Sequence, residues 1–244
     1  MFYPKNKSKK LDKKLFENPT SEYRGTPFWA WNCKLDKEDL LWQIDVLKEM
    51  GFGGFHMHSR AGMATPYLTD EFMDLIKSCR DKAEKNKMLC YLYDEDRWPS
   101  GAAGGLVTKD KQYRAHYLLM TPRPYSGGDN DASLDSSAAV KRAENGELLA
   151  RFDVTLDHGY LKEYHRLADG ESAGDNTWYA YLETMAESPW YNNQTYLNTL
   201  DKPSVERFVE VTHEAYLKAV GDSFGGVVPS IFTDEPQFTR KQTL

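Results

Sequence analysis

Two neighbouring acids, Asp234 and Glu235, stand in the segment IFTDEPQF at residues 231–238. They follow a short apolar run, and a proline comes directly after them. Carboxyl groups at the end of a strand can exchange protons with a bound substrate, or they can pair with a structural partner. Both interpretations stay open at this point, and we take Glu235 and Asp234 as candidate catalytic residues.

A second candidate group is the histidine pair His56 and His58, within GGFHMHSR at residues 53–60. Residues two apart in a strand project from the same face. Two imidazoles placed in this way can bind zinc, hydrogen-bond a polyol substrate or pack as a structural pair. The scattered histidines elsewhere in the chain are assigned no role.

The third group is an acidic run in YDEDRWPSGAAGG at residues 93–105. Three consecutive carboxylates, Asp94, Glu95 and Asp96, repel one another unless cations or hydrogen bonds compensate, and Arg97 is the adjacent cation. Alternation along a strand places Asp94 and Asp96 on one face and Glu95 on the other. The glycines that follow lack the lysine and hydroxyl of a phosphate-binding loop, so they predict a tight loop beside a pocket.

Tryptophans accompany these groups, and sugar rings present C–H groups that pack on aromatic faces. Trp31 and Trp98 are therefore candidates for a carbohydrate platform, with burial in the core as the alternative. The predicted substrate-binding residues are Trp31, Asn32, His56, His58, Arg60, Asp94, Glu95, Asp96, Arg97 and Trp98.

The elements that must position these residues alternate between apolar strands and amphipathic helices. PFWAWN, GGFHMHSR, MLCYLYDED and VVPSIFTDEP are strand-like, and helical periodicity follows the first two of them. One helix is expected to end at Gly51, another to begin at a Thr69 cap, and a third to have Pro203 near its start. This alternation predicts parallel strands with crossover helices, whose polar carboxyl ends meet at one mouth, as in a (β/α) barrel.

The alternation of strands and helices is interrupted in the middle of the chain. Residues 113–195 contain ELLARFDVTL, YLKEYHRL and TWYAYLETM, which alternate in part, and the polar, turn-rich SGGDNDASLDSS. We predict a small, mostly β insertion after the third strand. Residues 25–112 and 196–244 then form the first half of a (β/α) barrel, and residues 1–24 form a flexible basic leader.

Composition narrows the classes of function. The 244 residues carry a net charge of −6 without a second basic patch, which argues against nucleic acid as a partner. Apolar runs fall short of the roughly 20 residues needed to cross a bilayer, so a membrane is not an expected partner. Cys33, Cys79 and Cys90 lack paired spacing, and we expect reduced thiols in a cytoplasmic protein.

The string TDEP resembles the Asn-Glu-Pro signature of retaining glycosidases with (β/α)8 barrels, in which that glutamate is the acid/base. A longer set of segments is similar to the amino-terminal barrel region of family 106 glycoside hydrolases, which are α-L-rhamnosidase-like enzymes of plant-glycan degradation. These segments are PFWAWN, GFGGFHMHSRAGM, YDEDRWPSGAAGG, YLNTLD and VPSIFTDEP, at residues 25–105 and 195–238.

The resemblance implies an inverting glycosidase that removes terminal rhamnose or a related sugar, with a calcium ion near the pocket and no other cofactor. Such chemistry needs two carboxyl groups flanking the glycosidic bond. Glu235 is then one of the pair, while Asp94, Glu95 and Asp96 orient sugar hydroxyls or a cation. The sequence leaves open the sugar, the linkage and the stereochemical outcome.

Four βα units are visible where a closed barrel needs eight strands. We therefore expect an incomplete catalytic barrel that is inactive alone, with the second carboxylate in a missing carboxy-terminal half or with self-association through exposed strand edges. Two alternatives stay open. One is a metal-dependent hydrolase that uses His56 and His58, and the other is a non-catalytic carbohydrate-binding remnant.

Overall fold

The structure is a computed structural model, and it describes residues 8–125 and 144–237. The chain divides into two compact units. Unit 1 comprises Met1–Leu106 and Glu206–Pro236, and unit 2 comprises Val107–Val205 and Gln237–Leu244. Unit 2 therefore interrupts unit 1 in the sequence, and the insertion predicted at residues 113–195 lies within Val107–Val205.

The secondary structure is mixed. The strands are β1 (Phe28–Trp31), β2 (Gly54–Ser59), β3 (Leu89–Tyr93), β4 (His116–Thr121), β5 (Glu147–Asp157), β6 (Tyr160–Arg166), β7 (Thr177–Thr184) and β8 (Ile231–Phe232). The α-helices are α1 (Lys13–Glu17), α2 (Lys37–Glu49), α3 (Asp70–Asn86), α4 (Lys202–Val211) and α5 (His213–Val220). Short 3-10 turns cover Ser21–Tyr23, Lys111–Tyr113, Pro189–Tyr191 and Gly221–Ser223.

Unit 1 is built on a parallel sheet in the order β1-β2-β3-β8. Phe28 pairs with His56, His56 pairs with Tyr91, and Tyr93 pairs with Phe232, so the carboxyl ends of the strands lie at one edge. Gly54 is required in this register because a Cβ at that position would lie 2.4 Å from the Leu89 carbonyl oxygen. The predicted parallel sheet is confirmed.

Helices α3 and α4 begin at the predicted sequence signals, and α2 ends at its predicted signal. The Asp36 side chain accepts hydrogen bonds from the amides of Glu38 and Asp39 at the start of α2, and Gly51 follows the end of α2 with φ +91°. The Thr69 hydroxyl caps α3 by accepting from the Phe72 amide. Pro203 is the second residue of α4.

One face of the parallel sheet packs against the helices. Side chains of β1, β2 and β3 on this face, including Trp31, Phe55 and Leu92, share a buried cluster with Ile44 of α2 and Phe72 of α3. Burial of each large side chain of this kind contributes about 1.5–3 kcal/mol. The opposite face of the parallel sheet does not pack against these helices, and it carries His56 and His58 of the predicted site.

The segment predicted as a flexible leader contains secondary structure where it is described. Lys13–Glu17 forms α1, with the Asp12 side chain accepting from the amides of Lys14 and Leu15. The Ser21 hydroxyl donates to the carbonyl of Lys87. The absence of a side chain at Gly53 makes room for this segment, because a Cβ there would lie 2.0 Å from the Ser21 carbonyl oxygen. Residues 20–25 thus belong to unit 1.

Unit 2 contains an antiparallel sheet in the order β4-β7-β5-β6. The three alternating segments form β5, β6 and β7, and the sequence did not indicate β4. Buried Glu183 on β7 accepts hydrogen bonds from the hydroxyls of Tyr117 and Tyr125 and from the Glu144 amide. The turn-rich segment at residues 126–137 lies outside the described residues.

Cys79 and Cys90 are buried free thiols, and Cys33 is an exposed one. In the described part of the chain, no helix has both the length and the apolar character needed to cross a bilayer.

Candidate functional site

The face of the parallel sheet that turns away from the helices is aromatic. We call Phe28, His56, His58, Tyr91, Tyr93 and Phe232 the aromatic face. The His56 ring stacks on Tyr91 at a centroid distance of 4.3 Å, and the His58 ring stacks on Tyr93 at 3.9 Å. Phe28 lies 4.9 Å from His58 and 5.1 Å from Phe232, and it is 60% exposed. The face therefore offers an accessible aromatic surface next to the strand ends.

His58 and Asp234 meet where this face reaches the carboxyl edge. The Nε2 atom of His58 lies 3.7 Å from Oδ2 of Asp234. Burial lowers the pKa of His58 to about 4, with a further contribution from the positive charge of Arg60. Burial also raises the pKa of Asp234, the neighbouring charges of Glu235 and Asp94 add to the rise, and Arg60 opposes it. The pair is thus a neutral imidazole beside a carboxyl group that holds its proton more tightly than usual.

Glu235 lies at the exposed rim beside Asp234. Its Oε2 atom accepts a hydrogen bond of 3.0 Å from the indole Nε1 of Trp98. The backbone of Glu235 has φ +45°, a left-handed conformation that non-glycine residues rarely adopt. Such conformations persist where the surroundings enforce them, and they cluster at functional sites.

Asp94, predicted to contact substrate, is fully buried. Its Oδ1 accepts from the Ser100 hydroxyl at 2.6 Å, and its Oδ2 accepts from the Thr233 hydroxyl at 2.5 Å. Nε2 of His213 lies 3.3 Å from the same Oδ2. With both oxygens engaged inside the protein, direct contact between Asp94 and a substrate does not fit this arrangement.

Glu95 is also buried, at 1% exposure. Its carboxylate accepts hydrogen bonds from the amides of Asp96, Gly101, Ala103 and Gly104. Burial raises the pKa of Glu95 to about 7, and these amide donors oppose the rise. Glu95 therefore stabilises the loop at residues 96–104 by accepting hydrogen bonds from its amides. The prediction that Glu95 orients sugar hydroxyls does not fit this buried position.

The remaining predicted binding residues lie in different environments. Asp96 is buried, its pKa is raised by burial, and its Oδ2 accepts a hydrogen bond of 2.9 Å from Nε of half-exposed Arg97. Trp31 is 1% exposed and packs edge-on against Phe72 on the helix side of the sheet, so it is a core residue and not a sugar platform. Asn32 and Arg60 are exposed at the ends of their strands.

The calcium ion that the resemblance implied does not fit the acidic run. Calcium takes about 6–8 oxygen ligands, whereas the oxygens of Asp94 and Glu95 are committed to hydroxyl and amide donors. Within residues 8–125 and 144–237, no group of three His, Cys, Asp or Glu side chains is placed to hold a metal ion. His56 and His58 stack on tyrosines, and the metal-dependent alternative gains no donor set from them.

Several residues of this region escaped sequence reasoning. Ser100, Thr233 and His213 surround Asp94, and Phe28 and Phe232 complete the aromatic face. Strand alternation could have placed Phe28, His56 and Tyr91 on one face, since their register is direct. Nothing in the sequence pairs His213 with Asp94, because the two are far apart along the chain.

Comparisons with known proteins are sparse. No family model matches the chain, and no curated protein matches it. One similar solved structure is a rhamnosidase from Novosphingobium sp. PP1Y, with a TM-score of 0.38 and 18% sequence identity. The match covers 59% of this chain and 16% of that protein. A likeness at this level carries no conclusion about the activity of the chain, and the resemblance to family 106 stays a prediction.

Proposed function

We propose that unit 1 carries the acid/base part of a glycoside hydrolase site, with Glu235 as the proton-transferring residue and Asp234 as its partner carboxyl group. The observation that carries the proposal is the contrast between these two adjacent acids. Asp234 is partly buried, has a raised pKa and lies against His58, whereas Glu235 is exposed and bound to an indole N–H. Two neighbouring acids in unlike environments can take different roles in proton transfer.

The aromatic face supports a sugar as the substrate. A monosaccharide packs its C–H surface on aromatic rings while its hydroxyls meet polar groups. Exposed Phe28 supplies such a ring, and Arg60, Glu235 and Trp98 supply polar groups at the adjacent strand ends. Terminal rhamnose or a related sugar of plant-type glycans is the proposed substrate.

A closed (β/α)8 barrel is the proposed setting for turnover. Among the described strands of the parallel sheet, β1 and β8 each have one neighbour. Further strands would pair with these edges and cover the rest of the aromatic face. We propose that these strands, and the second catalytic carboxylate, come from a carboxy-terminal half of the barrel or from a second copy of the chain.

The test measures sugar binding and turnover together. L-rhamnose binding is followed by NMR shifts, and hydrolysis of 4-nitrophenyl α-L-rhamnoside is assayed on each oligomeric species separated by size exclusion. We expect Glu235→Gln to lower kcat/KM by at least about a hundredfold, while Glu49→Gln on the exposed surface of α2 leaves it unchanged.

Binding without turnover, both in every oligomeric species and after a carboxy-terminal barrel half is added, would favour the non-catalytic carbohydrate-binding alternative. A chain that neither binds rhamnose nor hydrolyses the glycoside would contradict the proposal, as would a fully active Glu235→Gln protein.

A further inference from the structure

Asp94 is the centre of a buried polar network behind the strand ends. Three segments of unit 1 reach it: the loop after β3 through the Ser100 hydroxyl, the end of β8 through the Thr233 hydroxyl, and the start of α5 through His213. Both hydroxyls donate to the carboxylate, and a hydroxyl oxygen that donates its proton can also accept hydrogen bonds.

Ser100 uses that accepting capacity on the backbone of Asp234. Its Oγ accepts a hydrogen bond of 2.9 Å from the Asp234 amide, and its own amide donates to the Asp234 carbonyl at 2.9 Å. The loop after β3 and the turn after β8 are therefore joined by two backbone-directed bonds. Since Ser100 Oγ also donates to Asp94, one hydroxyl links a buried carboxylate to the turn that bears Glu235.

This turn holds a conformation that needs support. Glu235 has φ +45°, and the strain of a non-glycine residue in this region must be offset by its surroundings. The bonds to Asp234 fix the residue immediately before it. Trp98, two residues before Ser100 in the same loop, then donates to the Glu235 carboxylate.

We propose that Asp94 and Ser100 are positioning residues for Glu235. The Ser100 hydroxyl, which joins Asp94 to the Asp234 amide, stabilises the left-handed turn that orients the Glu235 carboxylate. Glu95 supports this arrangement by accepting hydrogen bonds from the amides of Gly101, Ala103 and Gly104, in the loop just after Ser100. Asp94 thus acts through Ser100 and touches no substrate. The catalytic meaning of this role rests on the proposed function, but the geometry it predicts can be measured without any activity.

The experiment replaces Ser100 by alanine and reads two NMR signals. We expect hydrogen exchange at the Asp234 amide to accelerate by about tenfold in Ser100→Ala, the loss expected for one hydrogen bond. The Trp98 indole Nε1–H resonance shifts as well, because the Glu235 carboxylate leaves its position. Ser78→Ala is the matched control, since the Ser78 hydroxyl donates to a carbonyl within α3 and lies outside the network.

An unchanged Asp234 exchange rate or an unmoved Trp98 signal in folded Ser100→Ala would overturn the proposal. If Ser100→Ala does not fold, the Asp234 exchange rate and the Trp98 resonance are measured in Thr233→Val. Valine keeps the shape of threonine and removes one donor to Asp94. Both signals then move in the same direction if the proposal holds, and unchanged signals overturn it. Where hydrolysis is measurable, Ser100→Ala lowers kcat with little change in KM. Absent L-rhamnose binding with both NMR effects present would contradict the proposed function alone.

Discussion

Nε2 of His58 lies 3.7 Å from Oδ2 of Asp234, at the point where the aromatic face meets the carboxyl edge of the parallel sheet. The imidazole is also stacked on Tyr93, with 3.9 Å between ring centroids. Burial lowers the pKa of His58 to about 4, so the ring is neutral at pH 7 and forms no ion pair there. His58 thus presents a fixed, uncharged neighbour to an acid whose own pKa burial raises.

The lowered pKa predicts a specific pH dependence of stability. Folding moves the pKa of His58 from 6.5 to about 4, so the unfolded chain binds this proton more tightly. The stability that the neutral ring contributes is complete above pH 6.5 and is lost progressively as the pH falls from 6.5 to 4. Between pH 7 and pH 5 the wild-type free energy of unfolding should fall by about 2 kcal/mol more than that of His58→Gln.

Urea unfolding at several pH values measures this difference. His158→Asn serves as the control, since it removes a histidine whose side chain is 91% exposed, in unit 2. Arg60 and Asp234 are present in all three proteins, so the difference between the curves reports on position 58. Parallel profiles for wild type and His58→Gln would show that burial does not perturb this histidine.

The indole of Trp98 should tune the Glu235 carboxylate. Trp98→Phe keeps an aromatic ring and removes the Nε1–H that donates to Glu235 at 3.0 Å. We expect kcat for an aryl rhamnoside to fall by about fivefold with a smaller change in KM, because a hydrogen bond at an exposed site contributes about 1 kcal/mol. Trp190→Phe, at a 55% exposed position of unit 2, is the control. Equal values of kcat and KM for Trp98→Phe and wild type would show that the Trp98 indole does not contribute to the site.

The framework of unit 1 could be predicted because its signals are local. The Thr69 cap, the glycine after α2 and the apolar runs of β1, β2 and β3 each depend on a few adjacent residues. The β character of the insertion followed from partial alternation in β5 and β7 in the same way, and its antiparallel pairing is seen only in the structure. Strand β4 carried no such clear alternation, and its pairing with β7 is set by tertiary contact.

The site was predicted less well because burial is a property of the folded chain. Polar residues at strand ends were expected to share one mouth, but Asp94 and Glu95 turn into the protein and meet donors from distant segments. Trp31 was a candidate for a sugar platform with burial as the alternative, and strand alternation directs it to the helix side. His58, Asp234 and Glu235 do gather at one edge, and their substrate-related roles stay a prediction.

Glu95 should be essential for the loop that follows it. Above pH 7 the ionised carboxylate accepts four amide donors, whereas glutamine would turn its NH₂ group toward two of them. We expect Glu95→Gln to lower the free energy of unfolding at pH 8 by about 2–4 kcal/mol, since each buried unpaired donor costs about 1–3 kcal/mol. Hydrogen exchange at Gly101, Ala103 and Gly104 should accelerate with it.

The control for this substitution is Glu84→Gln on the exposed surface of α3, which should change stability by less than about 0.5 kcal/mol. Urea unfolding measures both variants. A stability of Glu95→Gln within the error of the control would mean that the loop does not depend on the buried carboxylate.

Phe28 tests whether the aromatic face binds sugar. Its ring is 60% exposed and lies about 5 Å from His56, His58 and Phe232, so it can pack against a ligand without first leaving a core. Phe28→Ala should weaken L-rhamnose binding by about five- to tenfold, the effect of losing about 1 kcal/mol of aromatic packing. Trp42→Ala is a matched control because Trp42 is 64% exposed on α2, away from this face. Titration calorimetry that gives Phe28→Ala and Trp42→Ala the same affinity as wild type would place the sugar elsewhere and leave the aromatic face without a role in binding.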